Sequence, residues 1–310
     1  MNILIAGGGG FIGSILIPPL LQRGNEISVI VSPSRKQTAL PRSVAVIEGD
    51  TAHPHFWPDI IARHQVIINL AGSSIFRRWN RTVKEAIYAS RIHTTAHIVD
   101  ALKSCPPSNK QFFNSSGVGY YGYRMDETLN EASDPGSSFL ARLAVAWEAE
   151  ALKARKYGVR VVLCRFGIVM GANGGALMAM LPFFKYRCGG RWGSGRQWFS
   201  WIHAHDLART VLFLLDHPDI DGPINITAPN PVTNHDMAQL LTKALNKRPL
   251  IPAIPGFLVK ALLGEFSDVF LKGQRVVPET LLDNGFQFRF PYLEGCLADL
   301  LGVHSNPGIE

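Results

Sequence analysis

The sequence predicts an α/β protein, a Rossmann-like doubly wound parallel sheet with a smaller C-terminal region on the substrate side. Three observations carry that expectation. Short β-branched runs alternate with helical stretches through the first half of the chain. A run of four glycines follows the first apolar run directly. After Phe166 the texture turns glycine-rich, and towards the end it becomes rich in Leu, Phe, Gly and Pro.

In chain order, the strands are expected at Asn2–Ala6, Ile27–Val31, Val44–Ile47, Val66–Leu70, Gln111–Ser115 and Val159–Phe166, each a short apolar run of the kind buried on both faces. The long helices fall at Arg81–Lys103 and Ser138–Tyr157. Gly167–Gly195 reads as loops that approach a ligand, followed by a helix Asp206–Leu215, a strand near Ile224–Thr227 and a helix Asn234–Leu245. The expected division is a predominantly Rossmann-like unit at 1–166, substrate-side loops with returning sheet and helix elements at 167–249, and a small helical cap at 250–302.

With 310 residues, 46% of them hydrophobic and 18% charged, the chain can bury a large core, which excludes a disordered protein or a small stapled scaffold. Cys105, Cys164, Cys188 and Cys296 are widely spaced with no C-x-x-C pair, as expected of reduced thiols. No basic, then apolar leader opens the sequence, and no apolar run approaches the ~20 residues of a membrane span. A soluble, cytoplasmic protein is the expectation. The net charge of +7 is scattered, which suits a phosphorylated small molecule better than nucleic acid or a membrane.

Gly7-Gly8-Gly9-Gly10-Phe11-Ile12-Gly13 sits between a strand and a helix, the context that a dinucleotide fingerprint requires. Gly7 makes the tight turn, Gly10 lets the backbone approach a pyrophosphate, Gly13 lets the helix pack closely, and the helix start at Phe11 and Ile12 offers N–H groups to phosphate. The second strand ends in Val31-Ser32-Pro33-Ser34-Arg35-Lys36. With no acid there to bind a ribose hydroxyl, Ser32 and Arg35 suit the 2′-phosphate of NADP; the alternative is a solvated loop. Asp50 and Thr51 meet the adenine edge or form a plain turn.

Asn69-Leu70-Ala71-Gly72, Asn114-Ser115-Ser116-Gly117-Val118-Gly119-Tyr120-Tyr121-Gly122, Leu163 to Gly171, Gly193 to His203 with Asp206, and Gly273 to Pro278 together resemble the extended short-chain dehydrogenase/reductase superfamily. Within it they look like the atypical epimerase-family, sugar-nucleotide-epimerase-like branch. The resemblance covers nearly the whole chain. It implies an NADP-binding fold, with Leu70, Ala71, Gly72 and Ile168 on the cofactor, and hydride transfer assisted by Ser, Tyr and Lys. The chain departs from that pattern where Trp147-Glu148 aligns with the family helix, because Leu140 and Ala144 stand where Tyr and Lys belong. Glu148 and Glu150 are expected beyond the active face. Candidate catalytic groups are therefore Ser116, Tyr120 and Tyr121; otherwise the serines satisfy strand-end backbone groups and the tyrosines pack against the nicotinamide pocket or the core.

His203-Ala204-His205-Asp206 carries ligand-type side chains but reads better as a strand end and helix cap than as a metal site. The clusters Arg77-Arg78-Trp79-Asn80-Arg81 and Arg191 to Trp198 suit arginine on a pyrophosphate, with Arg77 on the cofactor; nucleic-acid stacking and a purely structural stack are the alternatives. Two functions follow. One is an NADP-dependent oxidoreductase or epimerase acting on a nucleotide-sugar-like or other small polar substrate, with a homodimer left open. The other is a non-catalytic NADP(H) sensor or partner-binding protein.

Overall fold

Seven strands form one parallel sheet: β1 (Asn2–Ala6), β2 (Glu26–Val31), β3 (Ala45–Glu48), β4 (Val66–Asn69), β5 (Gln111–Gly117), β6 (Arg160–Phe166) and β7 (Gly222–Ile226), in the order β3-β2-β1-β4-β5-β6-β7. This computed structural model describes residues 1–31, 40–49, 51, 53, 57–105 and 109–302. Ser32, Arg35 and Asp50 lie outside the described residues. The strand order reverses between β1 and β4, the switch point at which open α/β sheets bind ligands.

Alternation along β1 explains why both faces are apolar. Ile3 and Ile5 turn to one core with Leu16, Leu20, Val29, Leu207 and Leu214, while Leu4 and Ala6 turn to the other with Ile67, Ile98, Leu102 and Phe112. The first core is covered by α1 (Phe11–Gln22) and α6 (Ala204–Asp216), the second by α2 (Trp57–Ala62) and α3 (Arg81–Lys103). α3 begins where expected because the Asn80 side chain accepts from the Val83 N–H at 2.8 Å, and α4 (Phe139–Leu152) begins after Ser138, whose hydroxyl accepts from Ala141 N–H at 3.1 Å.

The segment read as loops, Gly167–Gly195, holds more order than expected. Ile168–Gly171 pairs in parallel with Trp201–His203, and α5 runs from Gly175 to Lys185. Leu177, Leu181 and Phe184 recur at helical spacing and enter a third core with Met170, Trp201, Leu241 and Leu297. That period lay within the glycines that bracket it. The strand expected near Ile224–Thr227 is β7, which returns to the main sheet, and α7 (Asn234–Ala244) follows it. The final stretch contains α8 (Gly256–Leu263) and short helices at Glu279–Asp283 and Leu293–Leu301.

Candidate functional site

The glycine turn has the geometry its residues require. Gly7 sits at φ +76°, and a Cβ there would lie 2.9 Å from the Ala71 backbone, so the turn is pressed against the end of β4. A Cβ on Gly13 would come within 2.0 Å of the Gly8 carbonyl oxygen, which fixes α1 closely on the turn. Gly10 differs: it is exposed, it caps α1, and a Cβ there would meet only the Gly7 oxygen, at 3.4 Å. The space outside Gly10 is open, at the helix N-terminus, in the way an incoming diphosphate needs. The Phe11 ring lies against Gly171, Gly174 and Gly175. Ile12 packs on the first core, against which Leu70 and Val169 also rest.

Ala71 and Gly72 leave β4 at this edge. The Ala71 N–H donates to Asn69 Oδ1 at 3.2 Å, and a Cβ on Gly72 would meet the Arg91 guanidinium at 3.0 Å. Behind them, the Asn69 amide donates to Thr95 at 3.0 Å and to Asn114 at 2.8 Å, and the Trp147 indole N–H donates to Thr95 at 2.8 Å. This buried polar network ties β4, β5, α3 and α4 together directly beneath the switch point. Thr51 accepts from His97 Nδ1 at 3.3 Å, Ile168 is half-buried in its pairing with Trp201, and Arg77 is exposed in the loop between β4 and α3.

Ser116 and Tyr121 join one buried hydrogen-bond network. The Ser116 hydroxyl donates to Glu148 Oε1 at 2.6 Å, and the Glu148 carboxylate also accepts from Arg165 Nε at 2.8 Å and Nη2 at 2.7 Å. Arg165 Nη1 donates to the Tyr121 oxygen at 2.9 Å, and Tyr121 donates in turn to Asn225 at 2.7 Å. Burial pushes the Tyr121 phenol up to about 12 against the opposing effect of Arg165. Tyr120 turns its ring onto the Arg165 guanidinium, 3.5 Å from the centroid. Glu148 therefore faces inward, not beyond the active face, whereas Glu150 is half-buried and pairs with Lys153 at 2.6 Å. The hint was Arg165 itself, a cation within the apolar run of β6, which cannot be buried without a carboxylate.

A cleft of about 610 Å³ opens beside this network, walled by Trp79, Tyr121 and Tyr123, by Pro135 to Leu140 at the start of α4, and by Glu265, Asp268 and Lys272. Leu140 lies in its wall and presents no titratable group, while Ala144 is buried further along α4. Gly122, at φ +66°, lets the tyrosine loop touch Gly136, where a Cβ on either glycine would come within 2.9 Å of the other's Cα. That contact delivers Tyr123 to the cleft.

The remaining constellations resolve into structure. His203 Nδ1 accepts the His205 N–H at 2.9 Å and caps α6, its ring stacked on Phe290 at 3.9 Å. Asp206 accepts the Arg289 and Phe290 N–H groups at 3.0 and 2.8 Å, tying the C-terminal stretch to α6 rather than capping it. Of the two Arg/Trp clusters, Trp79 packs on Phe139 and Phe266, Trp192 on Phe270, and Trp198 donates to Asp126 beneath Arg275. The aromatic faces are occupied internally, so a stack on a ligand is replaced by a stack within the fold.

A glycine turn at the switch point of a parallel sheet, with a cleft at the same edge, defines the architecture of the dinucleotide-binding α/β proteins. The chain belongs to the NAD dependent epimerase/dehydratase family, whose match spans residues 3–227. Residues 254–300 match a second family, a domain of unknown function (DUF1731). The chain is 37% identical over 306 residues to the chloroplastic epimerase family protein SDR39U1 homolog of Arabidopsis thaliana, covering 97% of this chain and 87% of the relative. It superposes on the crystal structure of the human epimerase family protein SDR39U1 (isoform 2) with NADPH at a TM-score of 0.83 and 32% identity, covering 98% and 100% of the two chains. A nucleoside-diphosphate sugar epimerase of Corynebacterium glutamicum aligns at a TM-score of 0.74 and 28% identity, covering 97% of this chain and 58% of that one. Among the described residues, no helix is long and apolar enough to cross a membrane.

Proposed function

We propose that the chain is an NADP(H)-dependent oxidoreductase or epimerase of the extended short-chain dehydrogenase type, cytoplasmic, acting on a small polar substrate of nucleotide-sugar kind. The observation that carries this reading is the open space outside Gly10, at the start of α1 and at the switch point of the sheet. Gly7, Gly10, Phe11, Ile12 and Gly13 would hold the pyrophosphate, Leu70, Ala71, Gly72 and Ile168 would line the cofactor, and Asp50 with Thr51 would meet the adenine. Ser32, Arg35 and Arg77 would serve its phosphates. A bound nicotinamide supplies or accepts hydride. The chain's own part is to orient that group, to seat the substrate in the cleft under residues 250–302, and to hold a proton there. Ser116, Tyr120 and Tyr121 would build the floor beneath the cleft through Glu148 and Arg165.

The human relative crystallised with NADPH supports the cofactor. Calorimetric titration is expected to show tighter binding of NADPH than of NADH, and Arg35→Ala is expected to weaken NADPH about tenfold, as loss of a charge-assisted contact does, while sparing NADH. Equal affinity for the two cofactors refutes the assignment. A non-catalytic sensor is favoured by one observation, the inert Leu140 in the cleft wall. It predicts tight NADPH binding with no turnover of any carbonyl.

A further inference from the structure

We propose that Tyr123 is the proton donor of this cleft, serving reduction of a carbonyl compound with an apolar body in place of the inert side chain at position 140. The proposal rests on the NADP(H) reading above and names the substrate class and direction of that same site. The tyrosine loop narrows the choice. Tyr121 donates to Asn225 and accepts from Arg165, and Tyr120 faces inward onto that guanidinium. Tyr123 lines the cleft, and its hydroxyl makes no hydrogen bond with the described residues. Leu140 lines the same cleft from the start of α4, so both groups border one space.

The surroundings favour an acid over a base. Asp268 and Glu265 face Tyr123 from the C-terminal stretch; Lys272 lies 5.1 Å from its ring centroid and pairs with Asp268 at 2.8 Å. Glu265 is paired with Lys84 of α3, and Arg124, next along the loop, pairs with Glu127 at 3.3 Å. Burial first, then the carboxylates of Asp268 and Glu265, push the phenol up to about 12. A phenol so held stays protonated at neutral pH and can deliver its proton to an oxygen that becomes an alkoxide. Trp79, Phe139 and Leu140 give the cleft an apolar wall, and Ser137 and Arg124 lie beside it as polar groups.

The balance is that of a carbonyl reduction by a reduced nicotinamide. Hydride adds to the carbonyl carbon, the π bond breaks, and the oxygen takes the Tyr123 proton to give an alcohol and oxidised nicotinamide. The tyrosinate regains a proton from water in the open cleft, beside the Lys272 ammonium.

The test uses the full chain with NADPH and two probe carbonyls, phenanthrenequinone and isatin. Tyr123→Phe is expected to slow NADPH oxidation about a hundredfold while leaving NADPH affinity, read by fluorescence, within about twofold. Tyr121→Phe is expected to lower the melting temperature instead. As a readout apart from turnover, the tyrosinate absorbance of wild type minus Tyr123→Phe should stay absent up to about pH 11, and Asp268→Asn should bring it to lower pH. A wild type that does not bind NADPH refutes the cofactor reading. Bound NADPH with Tyr123→Phe as fast as wild type, with neither probe reduced by wild type, or with Tyr123 ionising at the ordinary value near 10 overturns the assignment to Tyr123.

Discussion

Replacing Glu148 with Ala tests whether the buried cluster beneath the cleft holds the loop and the sheet together. Glu148 is 4% exposed and Arg165 3%, so neither charge can turn to water for compensation. The substitution removes both carboxylate contacts to Arg165, at 2.8 and 2.7 Å, and the acceptor of the Ser116 hydroxyl at 2.6 Å. Breaking a buried pair from one side costs about 3–5 kcal/mol, because the partner charge stays behind uncompensated. An unsatisfied buried hydroxyl adds about 1 kcal/mol or more. The sum, roughly 4–6 kcal/mol, is a large part of the 5–15 kcal/mol that folded domains typically possess. At about 2 °C per kcal/mol for a chain of this size, the melting temperature should fall by roughly 10 °C. Urea titration followed by circular dichroism measures the loss directly. The double variant Glu148→Leu with Arg165→Met should recover most of it, since an apolar pair of similar volume leaves no charge behind. A loss below about 1 kcal/mol for the single variant, or a double variant no better than the single, would refute the reasoning.

The glycine turn offers a contrasting pair. Gly10→Val should keep its melting temperature within a few degrees yet lose NADPH affinity at least a hundredfold, because its side chain enters the open space, whereas Gly13→Ala should destabilise by about 1–3 kcal/mol or more by driving a Cβ into the Gly8 carbonyl; a Gly10→Val that binds normally defeats the fingerprint reading. Burial holds the imidazoles of His64 and His203 below the ordinary 6.5, in His203 against the pull of Asp299 and Asp206. The unfolded chain therefore binds protons first as pH falls. The stability these groups contribute is present above 6.5 and lost as pH drops through their lower folded values. Denaturation midpoints should fall as pH drops below neutral, and His64→Gln with His203→Gln should flatten that slope; a slope unchanged in the double variant shows that other groups carry it.

What the sequence disclosed and what it withheld divide along one physical line, the range over which a signal acts. β1 and the turn after it were legible because strand, glycine spacing and helix start lie within thirteen consecutive residues, and the NADP reading needed only the end of the next strand. α3 was legible at both ends because Asn80 and the helical period are local. The cleft is assembled from residues 79, 121–140 and 265–272, whose meeting no spacing rule announces. Elimination by helical face also failed at Glu148, because the face that matters is set by Arg165 arriving from β6, seventeen residues on. Hydroxyls at a strand end are chemically capable, but chemistry requires a group left free. Burial commits Ser116 and Tyr121 to partners in β6, β7 and α4, and the turn at Gly122 carries the uncommitted phenol two residues further along the same loop, to Tyr123.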